Sequence, residues 1–327
     1  MRAPAFWWRS RPSPAARLLI PPSLVYGAIA GRRMARAGEP AAVPVVCVGN
    51  LTAGGTGKTP TALKIAALLR GAGESPVFLT RGYRGRLKGP VRVETGHEAV
   101  DVGDEPLLLA HFAPTIVSRD RPAGGRMAAG QGASVIVMDD GLQNPSLAKD
   151  LALAVVDGAT GLGNRRILPA GPLRAPLGAQ WRRVDAVLLI GEGEAGESAA
   201  AEARALGKPV WCGRLEPDPE AAARLAGRRV LAFAGIGRPE KFFETLRACG
   251  ALVEVTRSFP DHHAFTTRDL AGLRGQAERE RLALVTTEKD AVRLRAAADV
   301  LALPVQLAIA DEDGFRAFLL SRLDRRA

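Results

Sequence analysis

Cysteine is scarce in this chain of 327 residues: Cys47, Cys212 and Cys249 stand far apart and show no C-x-x-C spacing. A disulfide framework and a cysteine-based zinc site are thereby excluded, and a reducing compartment fits. The four histidines, His97, His111, His262 and His263, form no H-x-x-x-H pair, so any metal is expected on carboxylates. Long apolar runs are missing too. The stretch Leu18 to Ala30 is only thirteen residues and is interrupted by Pro21 and Pro22, whereas a spanning helix needs about 20. No internal repeat or low-complexity segment stands out.

Enough remains to build a core. Hydrophobic residues make up 47% and charged residues 24% of the chain, which suits one large or two ordinary globular domains. The 45 basic residues outnumber the 34 acidic ones and leave a net charge of +11. An excess of that size attracts something anionic: nucleic acid, an acidic membrane surface or a phosphorylated small molecule. Charge alone does not choose among them, and an arginine-rich composition is also a plain bias.

Acids are nearly absent from the first forty residues, where seven arginines (Arg2, Arg9, Arg11, Arg17, Arg32, Arg33 and Arg36) face only Glu39. Phe6, Trp7, Trp8 and Tyr26 lie among them. Basic and aromatic residues together suit a membrane interface, so residues 1–36 are expected to form an interfacial helix. Two other readings stand beside it: a secretory signal, mimicked by the basic start and Ala28-Ile29-Ala30, and a helix packed on the protein itself.

Beyond Pro40, short apolar runs alternate with helix-period segments. Val43 to Val48, Val77 to Thr80, Thr115 to Ser118, Val135 to Met138, Ala152 to Val156 and Ala186 to Ile190 read as buried strands. Helices are expected over Thr59 to Arg70, Glu105 to Phe112, Gly124 to Gln131 and Glu194 to Leu206. This alternation predicts an α/β fold with a doubly wound parallel sheet. A second series has strands at Val230 to Ala234, Ala251 to Val255, Leu282 to Thr286 and Val305 to Ala308, with helices over Glu240 to Cys249, Thr267 to Arg281, Glu288 to Ala297 and Asp313 to Leu323. Two α/β domains are therefore expected beyond the N-terminal segment, a core at 37–212 and a smaller one at 213–327.

The first strand runs straight into Gly49-Asn50-Leu51-Thr52-Ala53-Gly54-Gly55-Thr56-Gly57-Lys58-Thr59, which opens the first helix. Strand, glycine-rich turn and helix N-terminus are what a phosphate loop requires. Backbone N–H groups converge on phosphate oxygens, Lys58 reaches the β- and γ-phosphates, and Thr59 offers a hydroxyl to Mg²⁺. The strict G-x-x-x-x-G-K-[ST] pattern places glycine where Thr52 stands, and a glycine-rich turn without chemistry is the bland alternative. Residues 52–59 are the expected nucleotide contacts. Val135-Ile136-Val137-Met138-Asp139-Asp140-Gly141 is an apolar run ending in two carboxylates, as expected of the strand that holds Mg²⁺ opposite Thr59. Adjacent strand residues point to opposite faces, so Asp139 is assigned to the metal and Asp140 to its surroundings or the acceptor. A guanine-specific N-K-x-D element is absent, since Glu288-Lys289-Asp290 lacks its spacing.

These segments, in this order, resemble the tetraacyldisaccharide 4'-kinases of lipopolysaccharide synthesis. The resemblance runs through the phosphate loop with Pro60, Arg81-Gly82-Tyr83, Gly103-Asp104-Glu105-Pro106, Asp139-Asp140-Gly141-Leu142-Gln143 and Leu168-Pro169-Ala170-Gly171-Pro172-Leu173-Arg174. It continues through Ala234-Gly235-Ile236-Gly237, Phe242-Phe243, Asp261-His262 and Thr287-Glu288-Lys289-Asp290. Asn144, Ala175 and Arg238 depart from the family pattern. The resemblance implies a P-loop NTPase-like fold and ATP and Mg²⁺ as cofactors. It also implies phosphorylation of the 4'-hydroxyl of an acylated glucosamine disaccharide 1-phosphate, giving a lipid A precursor. The expected place is the cytoplasmic face of the inner membrane of a Gram-negative bacterium, on an anionic membrane surface, with no nucleic acid and no obligate protein partner. By the same resemblance Asp104 is the base or proton relay and His262 tunes and orients it, a pair expected to form only when the domains close. Glu105 and Gln143 are expected at the metal or acceptor, and Arg81, Arg119, Arg121 and Arg174 as phosphate contacts. A cytoplasmic P-loop ATPase that uses the nucleotide as a switch is the competing reading.

Overall fold

The computed structural model describes residues 4–9, 13–294 and 297–323. Arg2 and Arg11 of the basic segment lie outside the described residues, as do residues 295–296 within the helix expected to 297. Among the described residues thirteen strands form two sheets. The larger sheet has nine strands: β1 (Val45–Gly49), β2 (Pro76–Thr80), β3 (Val91–Arg92), β4 (Thr115–Val117), β5 (Val135–Asp139), β6 (Leu151–Asp157), β7 (Ala186–Ile190), β8 (Val210–Pro217) and, last in sequence, β13 (Val305–Ile309). The smaller is built from β9 (Arg229–Ala234), β10 (Leu252–Ser258), β11 (Ala283–Thr287) and β12 (Val300–Leu303).

In the large sheet the order is β13-β8-β7-β6-β1-β5-β2-β4-β3. All neighbours run parallel except β13 on β8 and β3 on β4, the two edges. Parallel strands require crossovers, and these coat both faces with helices. On one face Ile65 and Leu69 of the helix Lys58–Gly71 pack against Val46, Val48, Phe78 and Leu153. On the other, Ala128 and Trp181 cover Cys47, Ile136 and Met138. With both faces covered, β1, β2, β5, β6 and β7 are buried along their whole length. Their sequences are therefore unbroken apolar runs rather than alternating ones. The small sheet, β10-β9-β11-β12, is parallel throughout and carries its own core around Val230, Ala232, Phe243, Leu246 and Val285.

The boundary expected at 212/213 is corrected by the sheet order. Strand β8 belongs to the large sheet, and after the small lobe the chain returns, so that β13 pairs antiparallel with β8 from Val305↔Pro217 to Ile309↔Gly213. Phe315 and Leu319 of the final helix Glu312–Leu323 then bury themselves in the large lobe's core. The chain crosses between lobes twice, side by side. Asp218 N donates to Pro304 O at 2.9 Å, and Gln306 Nε2 donates to Asp218 Oδ2 at 2.6 Å. The helix expected over Glu288–Ala297 is the single turn Glu288–Ala291.

At the N-terminus, the helix Ile20–Met34 begins with Pro21 and Pro22 in its first turn, where a missing N–H costs nothing. It docks through small residues: Ser23 and Gly27 are buried, and Ser23 Oγ donates to Ile167 O at 2.7 Å. Leu18, Leu24, Val25, Tyr26 and Ile29 face outward. No helix among the described residues is long and apolar enough to cross a membrane.

Candidate active site

The parallel register of β1 and β5 builds the floor of the site. Val48 pairs with Asp139, and Asp140 N donates to Val48 O at 2.9 Å, so the acidic end of β5 lies beside the start of the glycine-rich loop. The loop itself is braced from the 172–174 segment. Ala53 N donates to Pro172 O at 2.7 Å, Arg174 N to Leu51 O at 3.0 Å, and Thr52 forms an antiparallel bridge with Leu173. This explains the residue that breaks the strict phosphate-loop pattern: Thr52 is buried in this bridge and its φ is negative, so it has no need of glycine. Positive φ falls instead on Gly54 (129°) and Gly57 (89°). At Gly57 a Cβ would also sit 2.7 Å from Ile190 Cδ1, while Gly54 and Gly55 face open space.

Two further amides support the loop. Gln143 Nε2 donates to Asn50 O at 2.7 Å and to Gln180 Oε1 at 2.8 Å, and the fully buried Gln180 donates to Leu51 O and Ala175 O. The Gln143 amide nitrogen thus joins the loop's backbone to Gln180.

Among the described residues, Asn50 Oδ1, Thr56 Oγ1, Arg121 Nε and both oxygens of Asp139 are buried without a hydrogen bond. Leaving such groups bare costs on the order of 1–3 kcal/mol each, so this arrangement is suited to receive polar atoms. Burial pushes the Asp139 carboxyl up to about 7, with the charge of Glu105 adding to the effect and Lys58 opposing it. For Asp140, burial also works upward, but Lys58 and Arg174 outweigh it and hold the carboxyl down at about 2. Arg174 Nη1 donates to Asp140 Oδ1 at 2.8 Å and its Nε to Thr52 O at 3.1 Å, with Lys58 Nζ 3.6 Å from the same carboxylate oxygen.

The residues fit Mg²⁺. Among the described residues no group of three or more His, Cys, Asp or Glu side chains could hold a metal alone. Mg²⁺ is usually bound by one or two carboxylates while water and substrate phosphates complete its shell. Asp139, with two bare oxygens, and Thr59 in the first turn of the helix Lys58–Gly71 supply that kind of donor set.

The remaining candidates separate. Arg121 is buried to 1% exposure, its Nη1 on Ser118 O at 3.0 Å, and burial brings its guanidinium down to about 10. Arg81 and Arg119 are exposed, and Arg119 donates to Gly85 O.

On the other side of the cleft the two lobes meet at Asp104, which opens the helix Asp104–Phe112 and is buried. Its Oδ2 accepts from His262 Nδ1 at 2.9 Å and from Arg293 Nη2 and Nε at 2.8 and 3.1 Å, with Lys289 Nζ at 3.8 Å. Burial raises the Asp104 carboxyl, but His262, Lys289 and Arg293 together overcome that and hold it well below the usual range. An ionised Asp104 fixes the tautomer, because Nδ1 must carry the proton it donates. The pair expected only on closure is thus already made in this structure. His262 itself sits at φ 59°, its N–H bonded to Gly235 O and its carbonyl held by Arg84 Nη1 at 3.3 Å.

Arg293 escaped the sequence reading. Only 6% of its side chain is exposed, and it joins Asp104 to Asp290, whose Oδ1 it reaches at 2.7 Å and whose Oδ2 accepts from Gly235 N and Thr287 Oγ1. Its signal in the sequence is faint: a basic residue one turn after the Thr287-Glu288-Lys289-Asp290 motif. A second link between lobes, Arg238 Nη2 to Asp157 Oδ2 at 2.5 Å, uses one of the positions that depart from the family pattern.

Residues 15–324 match the profile of the family described as Tetraacyldisaccharide-1-P 4'-kinase. The chain is 61% identical over 324 residues to a tetraacyldisaccharide 4'-kinase of Methylobacterium nodulans, covering 99% of this chain and 96% of that one. It is 56% identical over 330 residues to one of a Bradyrhizobium species, covering 99% and 98%. Its fold is similar to the crystal structure of the "apo" form of LpxK from Aquifex aeolicus in complex with ATP, at a TM-score of 0.75 and 27% identity, covering 94% of this chain and 99% of that one.

Proposed function

The chain belongs to the tetraacyldisaccharide 4'-kinase family, and from that premise we infer how its residues divide the work of an ATP-dependent lipid kinase. The reaction moves the γ-phosphoryl of ATP to the 4'-hydroxyl of a tetraacyldisaccharide 1-phosphate, a step of lipid A biosynthesis. A bond forms between the 4'-oxygen and the γ-phosphorus as the bond to the β–γ bridging oxygen breaks. ADP departs with that electron pair, and the hydroxyl proton passes to the protein.

Phosphoryl transfer through a loose transition state asks mainly for positioning and charge neutralisation. The loop 52–59 supplies N–H groups and Lys58 for the triphosphate. Arg174 and Lys58 keep Asp140 ionised at the loop's flank. Mg²⁺, when bound, adds neutralisation of the phosphate oxygens, with Asp139 and Thr59 as the side chains that would hold it. Glu105, whose Oε1 lies 3.5 Å from Lys289 Nζ, is turned toward the second lobe.

Asp104 and His262 receive the hydroxyl proton. Among the described residues no hydrogen bond reaches Asp104 Oδ1, so that oxygen is the open acceptor, while Nδ1–H of His262 anchors Oδ2. The surrounding cations weaken this carboxylate as a base. A loose transition state tolerates this, because the attacking hydroxyl gains little positive charge before the proton leaves.

The substrate is a lipid, and the N-terminal helix suits an anionic membrane surface at the cytoplasmic side. An amphipathic helix of a water-soluble protein buries its large apolar residues. Here the burial is inverted, with Ser23 and Gly27 inside and Leu24, Val25 and Ile29 at 66, 63 and 63% exposure outside. Arg17, Arg32, Arg33 and Arg36 flank this face, the composition of an interfacial anchor.

What supports the reading is the Asp104–His262 pair where the lobes meet, together with a glycine-rich loop beside a bare Asp139. With [γ-³²P]ATP and a tetraacylated disaccharide 1-phosphate in detergent micelles, label is expected in the lipid. Asp104→Ala should lower that transfer by roughly 10²–10⁴-fold, the usual weight of acid–base catalysis, while ATP still binds. Release of inorganic phosphate alone by the unaltered protein would overturn the reading in favour of an ATPase switch.

A further inference from the structure

Lys289 stands at the seam of the two lobes, in the single turn Glu288–Ala291, and 27% of its side chain is exposed. The side chain is not sealed in the interface. Nζ lies 3.4 Å from His262 Nε2, 3.5 Å from Glu105 Oε1 and 3.8 Å from Asp104 Oδ2. None of these is the short contact of a committed charge-assisted bond, about 2.7–2.9 Å. Arg293 differs on every count, being almost fully buried and reaching Asp104 and Asp290 at 2.8 and 2.7 Å. The structural tie between lobes is therefore carried by Arg293. Lys289 is held loosely by three neighbours at once, and an ammonium on a flexible stem with three rotatable donors can turn to another anion at small cost.

What that anion is follows from the neighbours. Asp104 and His262 face the acceptor hydroxyl in the reading above. The transferring phosphoryl must meet that hydroxyl, so an ammonium within 4 Å of both members of the pair, and 3.5 Å from Glu105, stands beside its path. A phosphoryl group leaving Lys58 of the first lobe for an acceptor at Asp104 passes the ammonium of the second.

We infer that Lys289 is a further catalytic residue of the transfer, its Nζ leaving Glu105 and Asp104 to bind an oxygen of the γ-phosphoryl as that group moves from ATP to the acceptor. The inference rests on the kinase reading. Lys289 keeps its proton throughout and contributes charge alone. Bond making to the 4'-oxygen, bond breaking to the bridging oxygen, departure of ADP and transfer of the hydroxyl proton to the Asp104–His262 pair are unchanged.

The test compares the full-length protein with Lys289→Met, Lys289→Gln and Lys289→Arg in detergent micelles. Loss of the charge should lower kcat by about 10²–10³-fold, the usual loss when one donor to a transition-state oxygen is removed, with the Kd for ATP within about threefold of the unaltered protein. Binding of ADP with aluminium fluoride in the presence of acceptor, a mimic of the transferring phosphoryl, should weaken in parallel with kcat. Lys289→Arg should recover part of both. A role limited to tying the lobes would move the melting temperature and leave this split absent. A kcat within threefold in both Met and Gln variants overturns the inference, as does an equal loss of ATP and mimic binding. Failure of the unaltered protein to label lipid would instead bring down the kinase reading beneath it.

Discussion

The carboxylate of Asp104 and the guanidinium of Arg293 should be energetically coupled, and the structure sets the size. Their side chains are 5 and 6% exposed and share two hydrogen bonds of 2.8 and 3.1 Å. A hydrogen bond to a charged group contributes about 1.5–3 kcal/mol, and removing one partner of a buried ion pair costs about 3–5 kcal/mol. Arg293 retains Asp290 when Asp104 is neutralised, so the lower end applies: about 3 kcal/mol for Asp104→Asn. Arg293→Met should cost a similar amount, because it strips Asp104 of its closest cation. The double variant should cost less than the sum, with a coupling of about 2 kcal/mol or more from a double-mutant cycle by denaturant unfolding. The pH dependence has a definite sign. Because Asp104 is held below its ordinary value, its contribution is full above about pH 4 and fades as pH falls through and below that point. The gap between the unaltered protein and Asp104→Asn should therefore close in acid. A coupling under about 0.5 kcal/mol, or a gap unchanged between pH 7 and pH 3, would refute the claim that this pair joins the lobes.

Gly57→Ala puts a side chain at φ 89° and a Cβ 2.7 Å from Ile190 Cδ1. It should cost about 1–3 kcal/mol in stability and more than tenfold in ATP affinity by calorimetry, and undiminished affinity would contradict the assignment of the loop. Leu24→Glu with Ile29→Glu should shift the protein from anionic vesicles to the supernatant on sedimentation with its melting temperature retained, whereas continued sedimentation would contradict the interfacial helix.

What could be read before the structure depended on where each signal comes from. Strands β1 and β5 announce themselves because a parallel strand buried on both faces must be apolar throughout, and because each ends in residues with no place in a core, Gly49 and Asp139-Asp140. Strand β8 hides because it neighbours the antiparallel edge strand β13 and is only partly buried. Its Trp211, Cys212, Gly213, Arg214 and Glu216 make no unbroken apolar run. Strand β13 was legible as a strand, yet nothing local shows that its partner lies some ninety residues back in the other lobe. That return is what moved the domain boundary.

The same distinction divides the site. Lys58, Thr59 and Asp139 belong to one lobe and to motifs whose spacing is dictated by a single strand–loop–helix and its neighbour, so local pattern suffices to find them. Gln180 and Arg293 have no such pattern. Gln180 acts through Leu51 O, 129 residues away, and Arg293 through Asp104, 189 residues away. Asp104 and His262 could be paired in the sequence only through resemblance, because contact across 158 residues leaves no periodicity behind. A buried polar residue whose partner lies in another lobe is thus the kind that composition and spacing pass over. In this fold those residues join the two lobes at Asp104 and brace the glycine-rich loop. Lys289 differs in being half-buried and inside a recognised motif, yet its neighbours across the lobes, not that motif, mark it as the group proposed to meet the moving phosphate.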